Sequence, residues 1–208
     1  METDNCEIYR STNESLIAIQ KGLNPSEGDN IYAILGSGDQ TFMMLEKGAN
    51  VLGIDRNKSQ VKYVKDRISA LKRGRIEDFI VEKDLRKTKA SYSLNFKSRN
   101  SYIAEMDLDK LKRNLGNLKL IVADISKKNL NFNVFNKVYL SNALQFNLNV
   151  LKDLTQKFSQ GTLFYFASPR YRGPLKIEDP CFFKRNRELS EEASSFENSW
   201  ISNIFVKN

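Results

Sequence analysis

The stretch from Ile31 to Asp55 constrains this chain more than any other, because strand and helix signals alternate in it with glycines at the joins. Ile31-Tyr-Ala-Ile-Leu35 reads as a buried strand and Gly36-Ser37-Gly38-Asp39-Gln40 as a turn. Thr41 to Lys47 then reads as a short apolar helix closed by Gly48, and Val51-Leu-Gly-Ile54 as a second strand ending on Asp55. Glycines after a buried strand let the backbone approach a ligand closely, and an acid at the tip of the next strand can accept hydrogen bonds from both hydroxyls of a ribose. Asp55 follows Gly38 at close to the separation of roughly 20 residues expected for that pairing. The stretch therefore opens a nucleotide-binding α/β domain.

The rest of the chain extends the same alternation. Leu16, Ile19 and Leu23 predict a short amphipathic helix ending between Gly22 and Pro25. Beyond Asp55 a helix begins at Asn57 or Ser59, carries Val61, Val64, Ile68 and Leu71 inward, and stops at Gly74. Arg56, Lys58, Lys62, Lys65 and Arg67 fall mostly on its outward face. From about residue 77 to 116 the alternation is interrupted by a mostly helical insertion that covers or borders the site, with Met106, Leu108, Leu111 and Leu115 in a helix ended by Gly116.

Strands resume at Leu118–Val122, Lys137–Leu140 and Thr162–Phe166, the last preceded by a helix from Val150 to Phe158. Trp200–Val206 adds an edge strand. Strands separated by helices imply a Rossmann-like α/β fold, a mostly parallel sheet with helices on both faces and the insertion before strand three. One domain spanning residues 1–208 is expected, since 208 residues at 40% hydrophobic content fill one sizeable core. In such sheets ligands bind beyond the carboxyl ends of the strands. Gly36 to Gln40, Asp55, Asp124, Ser141-Asn142 and Ser168 to Arg170 all fall there.

Composition narrows the chemistry. Histidine is absent, which removes Ser-His-Asp and Cys-His schemes, imidazole metal sites and the usual near-neutral base. Cys6 and Cys181 give neither a disulfide framework nor a thiolate zinc site, so no metal is expected. A polar, acidic start and the lack of an apolar run of about 18 residues predict a soluble cytoplasmic protein. The formal charge of +8 favours an anionic partner such as nucleic acid, an anionic membrane surface or a phosphorylated small molecule, and equally suits a simply soluble surface.

Three cofactors suit this turn: nicotinamide and flavin dinucleotides, and S-adenosylmethionine. Thr41 stands where a dinucleotide fingerprint wants a third small residue, and Asp39 at the helix start would repel a pyrophosphate while tolerating a cationic amino group. Val122-Ala-Asp124-Ile125 places an acid after strand three for the exocyclic amine of adenine, with Ile125 against the ring. In this the chain resembles class I S-adenosylmethionine-dependent methyltransferases, whose strand-two acid binds ribose and whose strand-three acid neighbours the base. It has Ile34 and Gln40 where those enzymes generally carry an acid and a third glycine, and no Asn-Pro-Pro-Tyr-like motif after strand four.

A narrower resemblance rests on Leu35-Gly-Ser-Gly38-Asp39-Gln40, Gly53-Ile-Asp55-Arg56-Asn57-Lys-Ser-Gln60, Ile68-Ser-Ala-Leu71, Glu77-Asp-Phe79 and Val138-Tyr-Leu-Ser-Asn142. These look like the S-adenosylmethionine-dependent 3-amino-3-carboxypropyl transferases of betaine-lipid synthesis, which move the aminocarboxypropyl arm onto a diacylglycerol hydroxyl. That resemblance implies a cofactor pocket lined by Gly36, Gly38, Asp39, Asp55, Asn57, Gln60, Ser141 and Asn142. Ser37 and Arg56, in the same two turns, are counted with them, as are Asp124 and Ile125.

A sulfonium makes each attached carbon electrophilic, so alignment decides which group is transferred. Little acid–base machinery is needed, and candidates for a base toward a hydroxyl acceptor are Tyr9, Asp39 and Asp124. Each also has a structural reading: packed aromatic, helix cap and turn former respectively. The acceptor, a small molecule or a lipid, is not fixed by these residues. The alternative is a nucleic-acid-binding module or RNA methyltransferase on the same scaffold, using Lys83, Arg86, Lys87, Lys89, Lys97 and Arg99 with Tyr92, Phe96 and Tyr102 as stacking groups.

Overall fold

A computed structural model describes residues 9–80, 99, 102–125, 130–142, 153–174 and 183–208. Seven strands form one sheet in the order β3-β2-β1-β4-β5-β7-β6. They are β1 (Asn30–Ile34), β2 (Asn50–Asp55), β3 (Leu118–Val122), β4 (Lys137–Tyr139), β5 (Leu163–Pro169), β6 (Phe183–Arg185) and β7 (Trp200–Lys207). The first five pair in parallel, whereas β7 runs antiparallel to both β5 and β6. The sheet is the Rossmann-like arrangement that the alternation predicts, with its five parallel strands where the sequence places them.

The period-two side-chain alternation of a strand splits the core cleanly. Ile31, Ala33, Val51, Tyr139, Tyr165 and Ile204 face one layer. Tyr32, Leu52, Ile54, Val138, Phe164 and Phe205 face the other, where edge-on aromatic pairs such as Tyr32 with Phe158 fill the space. Both faces are thus covered, which is why these strands read as continuous apolar runs.

Helices α1 (Leu16–Leu23), α2 (Asp39–Glu46), α3 (Lys58–Lys72), α4 (Ile76–Ile80), α5 (Leu108–Asn114) and α6 (Arg187–Ser195) complete the named elements. Ser15 caps α1 by accepting from the Ala18 N–H, and Asn24 ends it in the left-handed conformation just before Pro25. Asn57 caps α3 in the same way toward Ser59. The described parts of the insertion are helical and pack on the outer side of α2 and α3: Asn114 Nδ2 donates to the Leu45 carbonyl at 2.8 Å and Tyr102 Oη to Glu46 at 3.2 Å.

Three expectations change. The last strand is not at the edge but lies between β5 and β6, and β6 with α6 was not foreseen. Arg67 is not on the outward face of α3: spaced three after Val64 and four before Leu71, it points inward and is 2% exposed. Arg99 and Tyr102 are withdrawn from a nucleic-acid surface, the first being fully buried and the second tied to Glu46. The other residues of that surface, Lys83, Arg86, Lys87, Lys89, Tyr92, Phe96 and Lys97, lie outside the described residues, as do Cys6, Cys181 and Val150 to Lys152.

Candidate functional site

The chain leaves β1 toward β2 and β3 on one side and returns in β4 and β5 on the other, so the sheet's topological switch point lies between β1 and β4. A crevice forms outside the carboxyl ends of strands at such a point because the chain departs to opposite sides there. Two segments flank it: the turn Leu35–Gly38 after β1 and Ser141-Asn142 after β4.

The turn is closed by the Gly38 N–H donating to the Leu35 carbonyl at 2.9 Å. Its two glycines do different jobs. Both have left-handed φ, +47° at Gly36 and +87° at Gly38. A Cβ on Gly38 would stand 3.0 Å from Val64 and 3.3 Å from Phe42, so this glycine lets the turn settle onto α3. A Cβ on Gly36 would meet no atom of the described residues within 4 Å apart from its chain neighbours. At Gly36 the protein leaves the backbone bare on an open side, as a ligand-approach position requires.

Asp55, at the tip of β2, is half-buried beside that open glycine. Its Oδ1 accepts from the Asn57 N–H at 2.9 Å, and the Gly36 N–H also reaches the carboxylate. Burial raises its pKa above the usual carboxylate value, against the opposing pull of those two N–H groups and the Arg56 charge. The turn Ala123-Asp124-Ile125 is held next to it: the Ala123 N–H donates to the Asp55 carbonyl at 3.0 Å, and Tyr32 Oη to the Ile125 carbonyl at 2.7 Å. The structure thus brings Gly36, Asp55, Asp124 and Ile125 to one edge, with Arg56 exposed at its rim.

Other expected lining residues are committed to the protein itself. Ser37 is buried, and its Oγ donates to Asp39 at 3.0 Å. Asp39, expected as a base or as a partner for a ligand's amine, is fully buried and already paired with two guanidinium groups. Arg99 grips it from two nitrogens, at 2.9 Å and 3.1 Å, while Arg67 stands 2.9 Å from Oδ1 and the Thr12 N–H donates at 2.9 Å. Burial alone would raise the Asp39 pKa, but the two guanidinium charges outweigh it and hold the carboxyl far below its ordinary range. Arg67 in turn donates to the carbonyls of Ser37 and Phe79 and lies over the Phe42 and Phe79 rings. The cluster pins the glycine turn from beneath.

Asn57 spends its side-chain oxygen on capping α3. Gln60 is buried and clamps the Tyr9 backbone from both sides, Nε2 donating to the carbonyl at 2.9 Å and Oε1 accepting from the N–H at 2.8 Å. Tyr9 itself is 70% exposed. From Tyr9 to Ser15 the chain forms a strap across the sheet's end, tied to α3 by Gln60, to α2 by Asp39, and to the far side by Trp200 Nε1 donating to the Asn13 carbonyl at 3.0 Å. Gln60→Ala removes two neutral hydrogen bonds and is expected to destabilise the protein by about 1–2 kcal/mol. Urea unfolding gives that figure, and amide exchange should quicken first at Tyr9 and Arg10.

The strap also brings in a group that the motifs did not point to. Glu14 is 1% exposed and accepts from the Ser141 hydroxyl at the end of β4. Ser141 has φ +51°, a left-handed conformation uncommon outside glycine and asparagine and often retained where function demands it. The only sequence cue to Glu14 is its place just before the Ser15 cap of α1. Asn142, half-buried, follows Ser141 beyond the carboxyl end of β4. Among the described residues no group of three or more metal-ligating side chains converges, and no helix is long and apolar enough to cross a membrane.

No protein-family model matches the chain, and no curated protein does. Solved structures share its fold. A putative methyltransferase, yhhF, from Escherichia coli aligns over 97% of this chain and 90% of its own with a TM-score of 0.58 at 11% identity. The tRNA (m1A58) methyltransferase TrmI from Aquifex aeolicus aligns over 98% and 72% at 0.53 and 11%. A putative rRNA-methylase from Clostridium thermocellum aligns over 95% and 97% at 0.52 and 13%. The chain spans only 39% of coclaurine N-methyltransferase and 42% of the [4+2]-cyclase SpnF, which it also matches. The chain therefore shares the Rossmann-like fold of these methyltransferases.

Proposed function

We propose that the crevice between β1 and β4 binds S-adenosylmethionine and that the protein transfers a group from its sulfonium to an acceptor. The observation that carries this reading is the pairing of a left-handed glycine facing open space with a half-buried carboxylate at the next strand tip, Gly36 with Asp55. A carboxylate so placed suits a ribose diol, which donates two hydroxyls to it. In this reading Asp124 and Ile125 border the base, and Ser141-Asn142 border the sulfonium arm. The bound cofactor supplies an electrophilic carbon. The chain's part is to orient it and to keep water away, so the lack of histidine is no obstacle.

Ser37, Asp39, Asn57 and Gln60 support the pocket from behind in this reading. The methyl group is the transferred group suggested by the fold, and the 3-amino-3-carboxypropyl arm the one suggested by the motif resemblance. The acceptor classes compatible with either transfer are a small molecule, a lipid and an RNA. Calorimetric titration should show saturable binding of S-adenosylmethionine and none of NAD. Failure to bind S-adenosylmethionine at millimolar concentration contradicts the proposal. With cell extract as the acceptor source, release of S-adenosylhomocysteine identifies methyl transfer and release of methylthioadenosine identifies transfer of the other arm.

A further inference from the structure

A fully buried carboxylate is costly unless a cation or several donors meet it. Glu14 has one oxygen on the Ser141 hydroxyl, while its Oε2 is buried and without a hydrogen-bond partner among the described residues. The groups facing it from the neighbouring elements are Tyr139 on β4, Tyr165 on β5, and Thr12 with Gln40 of α2 behind. The Tyr139 hydroxyl lies close enough to favour the charged carboxylate, yet makes no hydrogen bond of standard geometry. Both tyrosines have pKa values pushed well above 10 by burial and by the Glu14 charge, so neither is a cation or an anion near neutrality. The nearby charges, Asp39 through Thr12 and Glu197 through the Ser15 N–H, are anions, and Asp39 is already matched by its arginines. The site therefore holds an acid with one oxygen that makes no hydrogen bond of standard geometry among the described residues, next to a strained residue, at the switch point of the sheet.

We infer that Glu14 is a cation-binding residue of the crevice, its Oε2 taking the α-ammonium of the aminocarboxypropyl arm of S-adenosylmethionine. This rests on the adenosyl reading above and deepens it, naming the residue that recognises the arm rather than the nucleoside. An ammonium supplies what the carboxylate lacks, a positive charge with hydrogen-bond donors. The arm would then be held by its far end from the strap side, while Asp55 holds the ribose from the β2 side.

Burial pushes the Glu14 pKa up to about 7 despite the Ser141 and Tyr139 hydroxyls, so near pH 7 the free site is partly protonated. A bound ammonium lowers that pKa again, and binding must release protons. The test compares S-adenosylmethionine with methylthioadenosine, which keeps the nucleoside and lacks the arm, on wild type and on the near-isosteric Glu14→Gln. Calorimetry at pH 7 in buffers of different ionisation heat should show a proton release on S-adenosylmethionine binding to wild type that is absent in Glu14→Gln and absent with methylthioadenosine. The ratio of wild-type to Glu14→Gln affinity for S-adenosylmethionine should rise as pH is raised through about 7, because the ligand's own ammonium titrates alike in both and cancels from the ratio.

At pH 8 the variant should bind S-adenosylmethionine about tenfold or more weakly and methylthioadenosine unchanged. Equal weakening of both ligands, or no weakening and no proton release, overturns the Glu14 assignment while leaving the crevice reading intact. A wild type that binds neither compound overturns the crevice reading and the Glu14 assignment together.

Discussion

Asp39→Asn is expected to destabilise the protein by about 3–5 kcal/mol, a large share of the 5–15 kcal/mol typical of a domain. The substitution is nearly isosteric, so the loss is electrostatic: Arg67 and Arg99, 2% and 0% exposed, keep their charges and lose their anion. The pH dependence has a defined sign. A carboxyl whose pKa is lower in the folded than in the unfolded state contributes stability above the unfolded value, and that contribution fades as pH falls toward the folded one. Wild type should therefore lose stability below about pH 4, while Asp39→Asn, already without the contribution, should show a flatter acid limb. Asp29, also lowered although burial opposes it, is retained in both proteins through its Lys137 partner, so the difference isolates Asp39. Urea unfolding from pH 3 to 7 measures this, and adding Arg99→Met to Asp39→Asn should restore part of the loss. A single variant within about 1 kcal/mol of wild type at pH 7 would show that the arginines are satisfied by carbonyls alone.

Asp55→Ala should behave in the opposite way, with folding nearly unchanged and ligand binding lost. The residue is only half-buried, and its contacts within the protein are N–H groups of neighbouring turns that water can serve after truncation. Two charged hydrogen bonds to a ribose diol, at roughly 1.5–3 kcal/mol each, correspond to a weakening of about a hundredfold or more. Methylthioadenosine should suffer as much as S-adenosylmethionine, since both carry the diol. That pattern separates Asp55 from Glu14, whose replacement should spare methylthioadenosine. Tight binding to Asp55→Ala would move the nucleoside away from β2.

The positions legible in the sequence are those where backbone conformation is set locally. Gly36 and Gly38 occupy left-handed turns, and Asn57 caps its helix within two residues of itself. Strands β1, β2 and β5 were readable for a related reason: burial on both faces leaves uninterrupted apolar runs. What escaped was set by contacts distant in sequence. Asp39 meets Thr12 across 27 residues and Arg99 across 60, Gln60 meets Tyr9 across 51, and Glu14 meets Ser141 across 127. A carboxylate at a helix start looks the same in sequence whether it faces a ligand or two buried guanidinium groups. Strand β6 is three residues long within a segment rich in Pro, Arg and aromatics, too short to show alternation, and without it β7 reads as an edge.

The central claim is that the open side of Gly36 and the Asp55 carboxylate together receive an adenosyl sulfonium. Its most direct test is a crystal structure of the protein grown with S-adenosylmethionine. The account predicts the ribose hydroxyls on Asp55, the nucleoside against the backbone of Gly36 and the ammonium on the strap side at Glu14. Density for the ligand elsewhere, or a crevice filled by the chain's own side chains with Asp55 turned to water, would contradict it.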